Sequence, residues 1–236
     1  MHTDQIIRGH MLKVIQDGAL DIRDVDGGEE PFLYSSGNKG PGYVSIKGLV
    51  SRRIFRTLAM HLAVKLAYAH PDLDFVAGNV TGGVPPTCFV SEDLSVLLGR
   101  HIPMVYIRDS RKAGGHKELV TGLGGLRGGS WGVVIEEMIN YGETTVNSTE
   151  MLREEGFVMS HAGCILNYDT PPNRENLARH DIQMVHLFTL EDLLDLAKSI
   201  GQFSPQHFAQ YDAFRADPKK WMDDRGLKRE EKGGTK

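Results

Sequence analysis

Apolar residues along the chain recur at two spacings that take turns. Ile6, Ile7, Met11, Val14 and Ile15 lie at the spacing of one helix face, and Gly18 closes that segment. A glycine-rich stretch over residues 35–42 leads into a short alternating strand over 43–46. Ile54, Leu58, His61, Leu62 and Leu66 form a stripe that predicts a helix over residues 51–69. Short apolar runs over 75–77, 103–107, 133–135 and 161–167 predict strands. Helical patterns fall between and after them, ending near Arg100, covering 145–155 and closing with 190–200. Such alternation predicts an α/β fold whose mostly parallel, doubly wound sheet is flanked by helices on both faces. Residues 1–216 read as one domain. Residues 217–236 are charged and poor in apolar side chains apart from Trp221, Met222 and Leu227, which predicts a peripheral helix or a frayed tail.

Composition narrows the class without choosing the chemistry. A chain of 236 residues is long enough to bury a sizeable core as one α/β domain. Its net charge of −4 gives no support to a nucleic-acid partner. Cys88 and Cys164, the two cysteines, lie in apolar sequence surroundings without metal-ligand spacing, and read as buried thiols in a reducing compartment. No apolar run approaches the roughly 18 residues that span a bilayer, and the first residues do not resemble a signal peptide. The expectation is a cytoplasmic protein with no membrane partner.

Candidate chemistry begins at residues 133–145, VVIEEMINYGETT. The β-branched run Val133, Val134 and Ile135 suits a strand buried on both faces, and Glu136 with Glu137 marks its carboxyl end. Ligands of open α/β sheets bind outside the carboxyl ends of the strands, where paired acids serve binding better than packing. The loop Ile139, Asn140, Tyr141, Gly142, Glu143 and Thr144 precedes a helix, so its N–H groups suit a phosphate. Two further loops reach the same rim. GNVTGGVPP, residues 78–86, holds Thr81, Gly82 and Gly83, where backbone can approach an anion closely. Arg108, Arg111, Lys112, His116 and Lys117 surround Ala113, Gly114 and Gly115, the composition of a mobile cationic lid.

These residues resemble the type I phosphoribosyltransferases, whose phosphoribosyl pyrophosphate motif sets apolar residues before two acids and a small-residue phosphate loop. Residues 32–48, FLYSSGNKGPGYVSIKG, are similar to the base-binding stretch of the orotate phosphoribosyltransferases. GNVTGGVPP resembles that family's pyrophosphate loop, the basic segment its lid, and FTLEDLLDL its C-terminal helix start. The resemblance implies transfer of a phosphoribosyl group from phosphoribosyl pyrophosphate to orotate, with Mg²⁺, in pyrimidine biosynthesis. It also implies a small N-terminal hood over the base and a homodimer in which the lid serves the neighbouring subunit. By the family pattern Glu136 and Glu137 face the ribose, residues 140–144 hold the 5′-phosphate, and Thr81 and Gly82 meet the pyrophosphate. Arg108, Lys112 and His116 close over it, and Tyr43 flanks the base with Val44 beside it.

Some positions depart from that pattern. Ser35 stands where a lysine is usual, and Thr170 where an arginine often meets the orotate carboxylate, with Arg174 or Lys47 as nearby substitutes. Glu143 puts an acid in the phosphate loop. Two unit charges 4 Å apart repel by about 4 kcal/mol at an effective dielectric of 20, more than the roughly 0.3–1 kcal/mol a helix N-terminus returns. Glu143 therefore points to solvent, or the loop binds the phosphosugar poorly. Two alternatives stay open on these grounds: a non-catalytic regulator or assembly subunit of the same fold, and a phosphoribosyltransferase for another nucleobase.

Overall fold

The computed structural model describes residues 2–34, 36–108 and 119–229. In chain order the elements are α1 (His2–Gln16), β1 (Leu20–Ile22), β2 (Phe32–Leu33), β3 (Lys39–Gly40), β4 (Gly42–Val44), α2 (Arg53–Ala69), β5 (Phe75–Asn79) and α3 (Val84–Leu98). There follow β6 (Met104–Ile107), β7 (Val120–Thr121), β8 (Trp131–Ile139), α4 (Glu143–Glu154) and β9 (Val158–Asn167). The chain closes with α5 (Pro171–Arg179), β10 (Gln183–Thr189), α6 (Leu190–Ser199), α7 (Pro205–Ala216) and α8 (Pro218–Asp223). They gather into two compact units, Met1–His10 with Ile46–Asp192, and Met11–Ser45 with Leu193–Lys236.

The first unit holds a six-stranded sheet in the order β10-β9-β8-β5-β6-β7. Every pairing is parallel except β6 with β7. A parallel sheet needs cover on both faces, and two core clusters supply it. Val146, Leu152 and Leu177 from α4 and α5 pack with Ala77, Val134 and Ala162 on one face. Leu62, Leu66, Val90 and Leu94 from α2 and α3 pack with Val76, Val133 and Ile135 on the other. The alternation of apolar runs in the sequence thus corresponds to a doubly wound sheet, as predicted.

The second unit pairs β1 with β4 and β2 with β3, each antiparallel. Here the Phe32 and Tyr43 rings stack at 5.4 Å, and the Arg23 guanidinium lies 3.6 Å from the Phe32 centroid. Residues 217–229, part of the stretch the sequence sets apart as a tail, belong to this unit. Helix α8 buries Trp221 and Met222, and Arg225 reaches both carboxylate oxygens of Asp26 at 2.8 and 2.7 Å. Such bidentate pairing and aromatic burial give this short helix a reason to stay docked.

Three details differ from the sequence expectations. Strand β8 runs on to Ile139, so the acid pair lies inside the strand rather than at its end, because β9 pairs with it as far as Ile139↔Asn167. Cys88, expected to be buried, is exposed, because the opposite side of α3 faces the core; Cys164 is buried in β9. Helices α5 and α7 and strands β1 and β10 are among the elements that lie where none was predicted. Only Asn173 and Leu177 of α5 are buried, too few to print an apolar stripe, and Thr170 starts it by accepting a hydrogen bond from the Asn173 N–H at 3.4 Å.

Candidate active site

Consecutive residues of a strand face opposite sides of the sheet, and β8 uses this to separate its acids. Glu136 shares the face of Val134, under α4, and keeps only 7% of its surface exposed. There Asn79 Nδ2 donates to Glu136 Oε1, and Ser148 Oγ of α4 donates to Asn79 Oδ1. Glu137 shares the face of Ile135. Burial pushes its carboxyl above the ordinary value, while a backbone N–H and the positive charge of Lys47 oppose that rise. The two carboxyl groups therefore have different surroundings although they are neighbours in sequence.

Beside Glu137 lies a cavity of about 200 Å³ lined by Lys47, Val50, Phe55, Thr81, Gly82 and Pro85. Lys47 sits in a 3-10 turn (Lys47–Leu49) just before α2. The loop between β5 and α3 is seated on both acids. A Cβ on Gly82 would overlap the Glu137 carboxylate, and one on Gly83 would lie 2.8 Å from Glu136 Oε2 and 2.7 Å from the Asn79 N. Glycine at both positions is what allows the loop so close.

The loop between β8 and α4 is built differently. Its residues are Asn140, Tyr141 and Gly142, and Gly142 takes a left-handed conformation at φ 81° as the N-cap of α4. Asn173 Nδ2 donates to the Asn140 carbonyl at 2.6 Å, and Asn176 Nδ2 to the Tyr141 carbonyl at 3.0 Å. With its carbonyls held by α5, the loop runs into a helix whose first N–H groups have no intrahelical partners. Asn140, Tyr141, Glu143 and Thr144 are exposed, and Gly142 and Ile139 are buried. Glu143 occupies the first turn of α4, where a carboxylate is favoured by the helix dipole.

The other predicted residues divide. Arg108 follows β6, where its N–H bonds the Leu119 carbonyl at 2.9 Å and its guanidinium donates to the Tyr106 hydroxyl at 3.3 Å. Val80 N–H bonds the Ile107 carbonyl at 2.8 Å, which ties the start of the glycine loop to the end of β6. Arg111, Lys112, His116 and Lys117 lie outside the described residues. Tyr43 and Val44 belong to the second unit, Tyr43 exposed and stacked on Phe32, Val44 buried at 3%. Arg174 pairs with Asp169 at 3.1 Å and donates to its carbonyl.

Four residues that shape the site went unmarked in the sequence reading: Asn79, Ser148, Asn173 and Asn176. A polar Asn79 between Gly78 and Val80, at the end of an apolar run, is a usable signal for the first. The others lie on helices, where a serine or asparagine is indistinguishable from a solvated one until its neighbours are known.

A doubly wound sheet that carries an acid pair, a glycine loop seated on it and a helix-capping loop resembles the type I phosphoribosyltransferases in architecture. Orotate phosphoribosyltransferase of Jannaschia sp. is 28% identical over 213 residues, 88% of this chain and 90% of that protein. Among solved structures, UMP synthase of Leishmania donovani matches with a TM-score of 0.70 at 20% identity, over 89% of this chain and 42% of that longer one. Orotate phosphoribosyltransferase of Aeropyrum pernix matches with a TM-score of 0.62 at 24% identity, over 82% of this chain and 99% of that one. No family model matches the chain. Over most of its length the chain is similar to orotate phosphoribosyltransferases, and it shares the fold of the solved ones. Orotate phosphoribosyltransferase of Enterococcus faecalis is likewise 28% identical, over 89% of this chain and 99% of that protein.

Proposed function

We propose that the chain transfers the phosphoribosyl group of phosphoribosyl pyrophosphate to orotate, giving orotidine 5′-phosphate and pyrophosphate for pyrimidine nucleotide synthesis. The observation that carries this reading is Glu137, a half-buried carboxyl beside the cavity lined by Lys47, Thr81 and Gly82, on the sheet that also bears the Asn140–Gly142 loop. Displacement at the anomeric carbon builds positive charge on the ribose ring and negative charge on the departing pyrophosphate. Fixed charges aimed at both are the main way a protein lowers such a barrier. In this reading Glu137 meets the ribose hydroxyls and the developing positive ring. Lys47, Thr81 and the Gly82 and Gly83 backbone receive the pyrophosphate. Residues 140–144 hold the 5′-phosphate through N–H groups, with the exposed Glu143 side chain turned to solvent. Arg108, Arg111, Lys112 and His116 form the lid, contributed to the neighbouring subunit of a homodimer.

Mg²⁺ fits this donor set. Among the described residues no cluster of three His, Cys, Asp or Glu side chains is placed to cage a metal, and Mg²⁺ is commonly held by one or two carboxylates together with substrate phosphates. Glu137 and the Thr81 hydroxyl are the oxygen donors beside the cavity. The ion would neutralise charge on the leaving pyrophosphate. No described helix is long and apolar enough to cross a membrane, in keeping with a cytoplasmic enzyme.

The base is the part of the reading with a competitor. Thr170 caps α5, and Arg174 is engaged with Asp169, which favours testing bases that lack a carboxylate. The test is mass-spectrometric detection of product from phosphoribosyl pyrophosphate and Mg²⁺ with orotate, uracil, adenine or hypoxanthine offered separately. Orotidine 5′-phosphate as the main product supports the proposal. A different nucleotide redirects it to another base, and no nucleotide from any base overturns it.

A further inference from the structure

Asn79, Glu136 and Ser148 form a hydrogen-bonded chain with 4%, 7% and 1% of their surfaces exposed. It joins three elements, β5, β8 and α4, across sequence separations of 57 and 69 residues. The direction of each bond is set by chemistry. Asn79 faces Glu136 with its amide nitrogen, which donates to the carboxylate oxygen Oε1. That leaves the Asn79 carbonyl for Ser148, whose hydroxyl donates to it. A flipped amide would set its oxygen against the Glu136 carboxylate in a buried site, so Glu136 fixes the Asn79 amide and the Ser148 hydroxyl, able to donate or accept, completes the chain. Asn79 also anchors the glycine loop through its backbone, since its carbonyl accepts the Gly83 N–H at 2.9 Å.

Resting on the phosphoribosyl-transfer reading above, we propose that Asn79 and Ser148 are positioning residues for the acid pair. They turn one oxygen of Glu136 inward beneath α4 and leave its second oxygen against Gly83. Glu136 becomes the internal fastener of the rim, and Glu137 is the carboxylate presented to the ribose. The same chain ties α4, whose first turn follows the phosphate loop, to the strand that carries the acids. It sets the distance between the two ends of the phosphosugar.

The test uses the full chain and four variants, assayed for kcat, KM for phosphoribosyl pyrophosphate and melting temperature. Asn79→Asp keeps shape and the acceptor for Ser148 but turns the donor toward Glu136 into an acceptor. It is expected to lower kcat by roughly tenfold to a hundredfold, the scale of a misplaced catalytic group, with a smaller change in KM. Ser148→Ala removes the outer link and is expected to lower kcat by about three- to tenfold, the worth of one hydrogen bond. Ser148→Thr keeps the hydroxyl and should restore most of that loss. Glu137→Gln, the control for the reading itself, should abolish most turnover. If Ser148→Ala and Asn79→Asp stay within twofold of wild-type kcat while Glu137→Gln is inactive, the relay is refuted and the transferase reading stands. Loss of kcat that follows loss of melting temperature, with no recovery in Ser148→Thr, also refutes it and leaves a merely structural bond. Should Asn79→Asp fail to fold, the Ser148 pair decides alone. An inactive wild-type protein overturns both proposals.

Discussion

The two loops that follow β5 and β8 end at the same kind of place, a strand leading into a helix, yet they solve opposite problems. Residues 79–83 lie pressed against protein. Gly82 rests on one acid and Gly83 on the other, with no room for a side chain. Residues 140–142 stand largely open, held from behind through their carbonyls by Asn173 and Asn176. The first loop uses glycine for close approach, and the second uses it for a left-handed turn into α4. One is a seat for carboxylates and the other an open turn that caps a helix. Their difference explains why two glycine-rich loops of similar length belong in one site.

The largest expected effect comes from filling the seat. Gly83→Ala would set a Cβ 2.7 Å from the Asn79 N and 2.8 Å from the Ile135 carbonyl, backbone atoms that cannot move aside singly. Overpacking of this kind costs about 1–3 kcal/mol, so a fall in melting temperature with loss of activity is expected on thermal denaturation and assay. Gly82→Ala meets only the flexible end of Glu137. It should cost activity with little stability, and equal melting losses for the two variants would contradict this account of the seat.

Next in size is Glu137→Gln, with turnover reduced by at least about a hundredfold if the acid contacts the transition state. Its pH dependence has a definite sign. Burial raises the folded-state carboxyl above its ordinary 4.5, so folding favours the protonated form. Stability from this group is fully present below the unfolded value and is lost as pH rises through the raised folded value. Activity that needs the anion runs the other way, with an acid limb displaced upward. Both dependences should disappear from the Gln variant in a pH series of melting curves and rates; their persistence would show that another group titrates.

Changes in the open loop should be smaller and should act on binding. Gly142→Ala forces a non-glycine residue to φ 81° and brings its Cβ to 3.1 Å from Leu177, at a cost of about 1 kcal/mol or somewhat more. Weaker phosphoribosyl pyrophosphate binding in calorimetry is expected, with kcat changed less than KM. Glu143→Gln is expected to tighten that binding by less than about tenfold while losing a few tenths of a kcal/mol of helix-end stability. Tightening beyond that would mean the carboxylate faces the phosphate rather than solvent.

Much of this was legible in the chain. The apolar periods of residues 54–66 and 133–135 marked the α2 stripe and the centre of β8, because burial imposes a period on each element wherever it lies. The GNVTGG and INYGETT stretches marked their loops, because close approach and left-handed turns demand glycine locally. Helix α5 was hidden by its polarity, and the exposure of Cys88 depended on which side of α3 faced the core.

What the sequence by itself determined is a doubly wound sheet with paired acids and two glycine loops, since periodicity and turn chemistry are properties of neighbouring residues. Only the tertiary structure decided that Glu136 and Glu137 part company. Strand alternation sends them to opposite faces, and the sheet order β9-β8-β5 then brings Asn79 and α4 to one acid and the Lys47 turn to the other. Those partners come from segments distant in sequence, so their meeting follows from packing rather than from any local pattern.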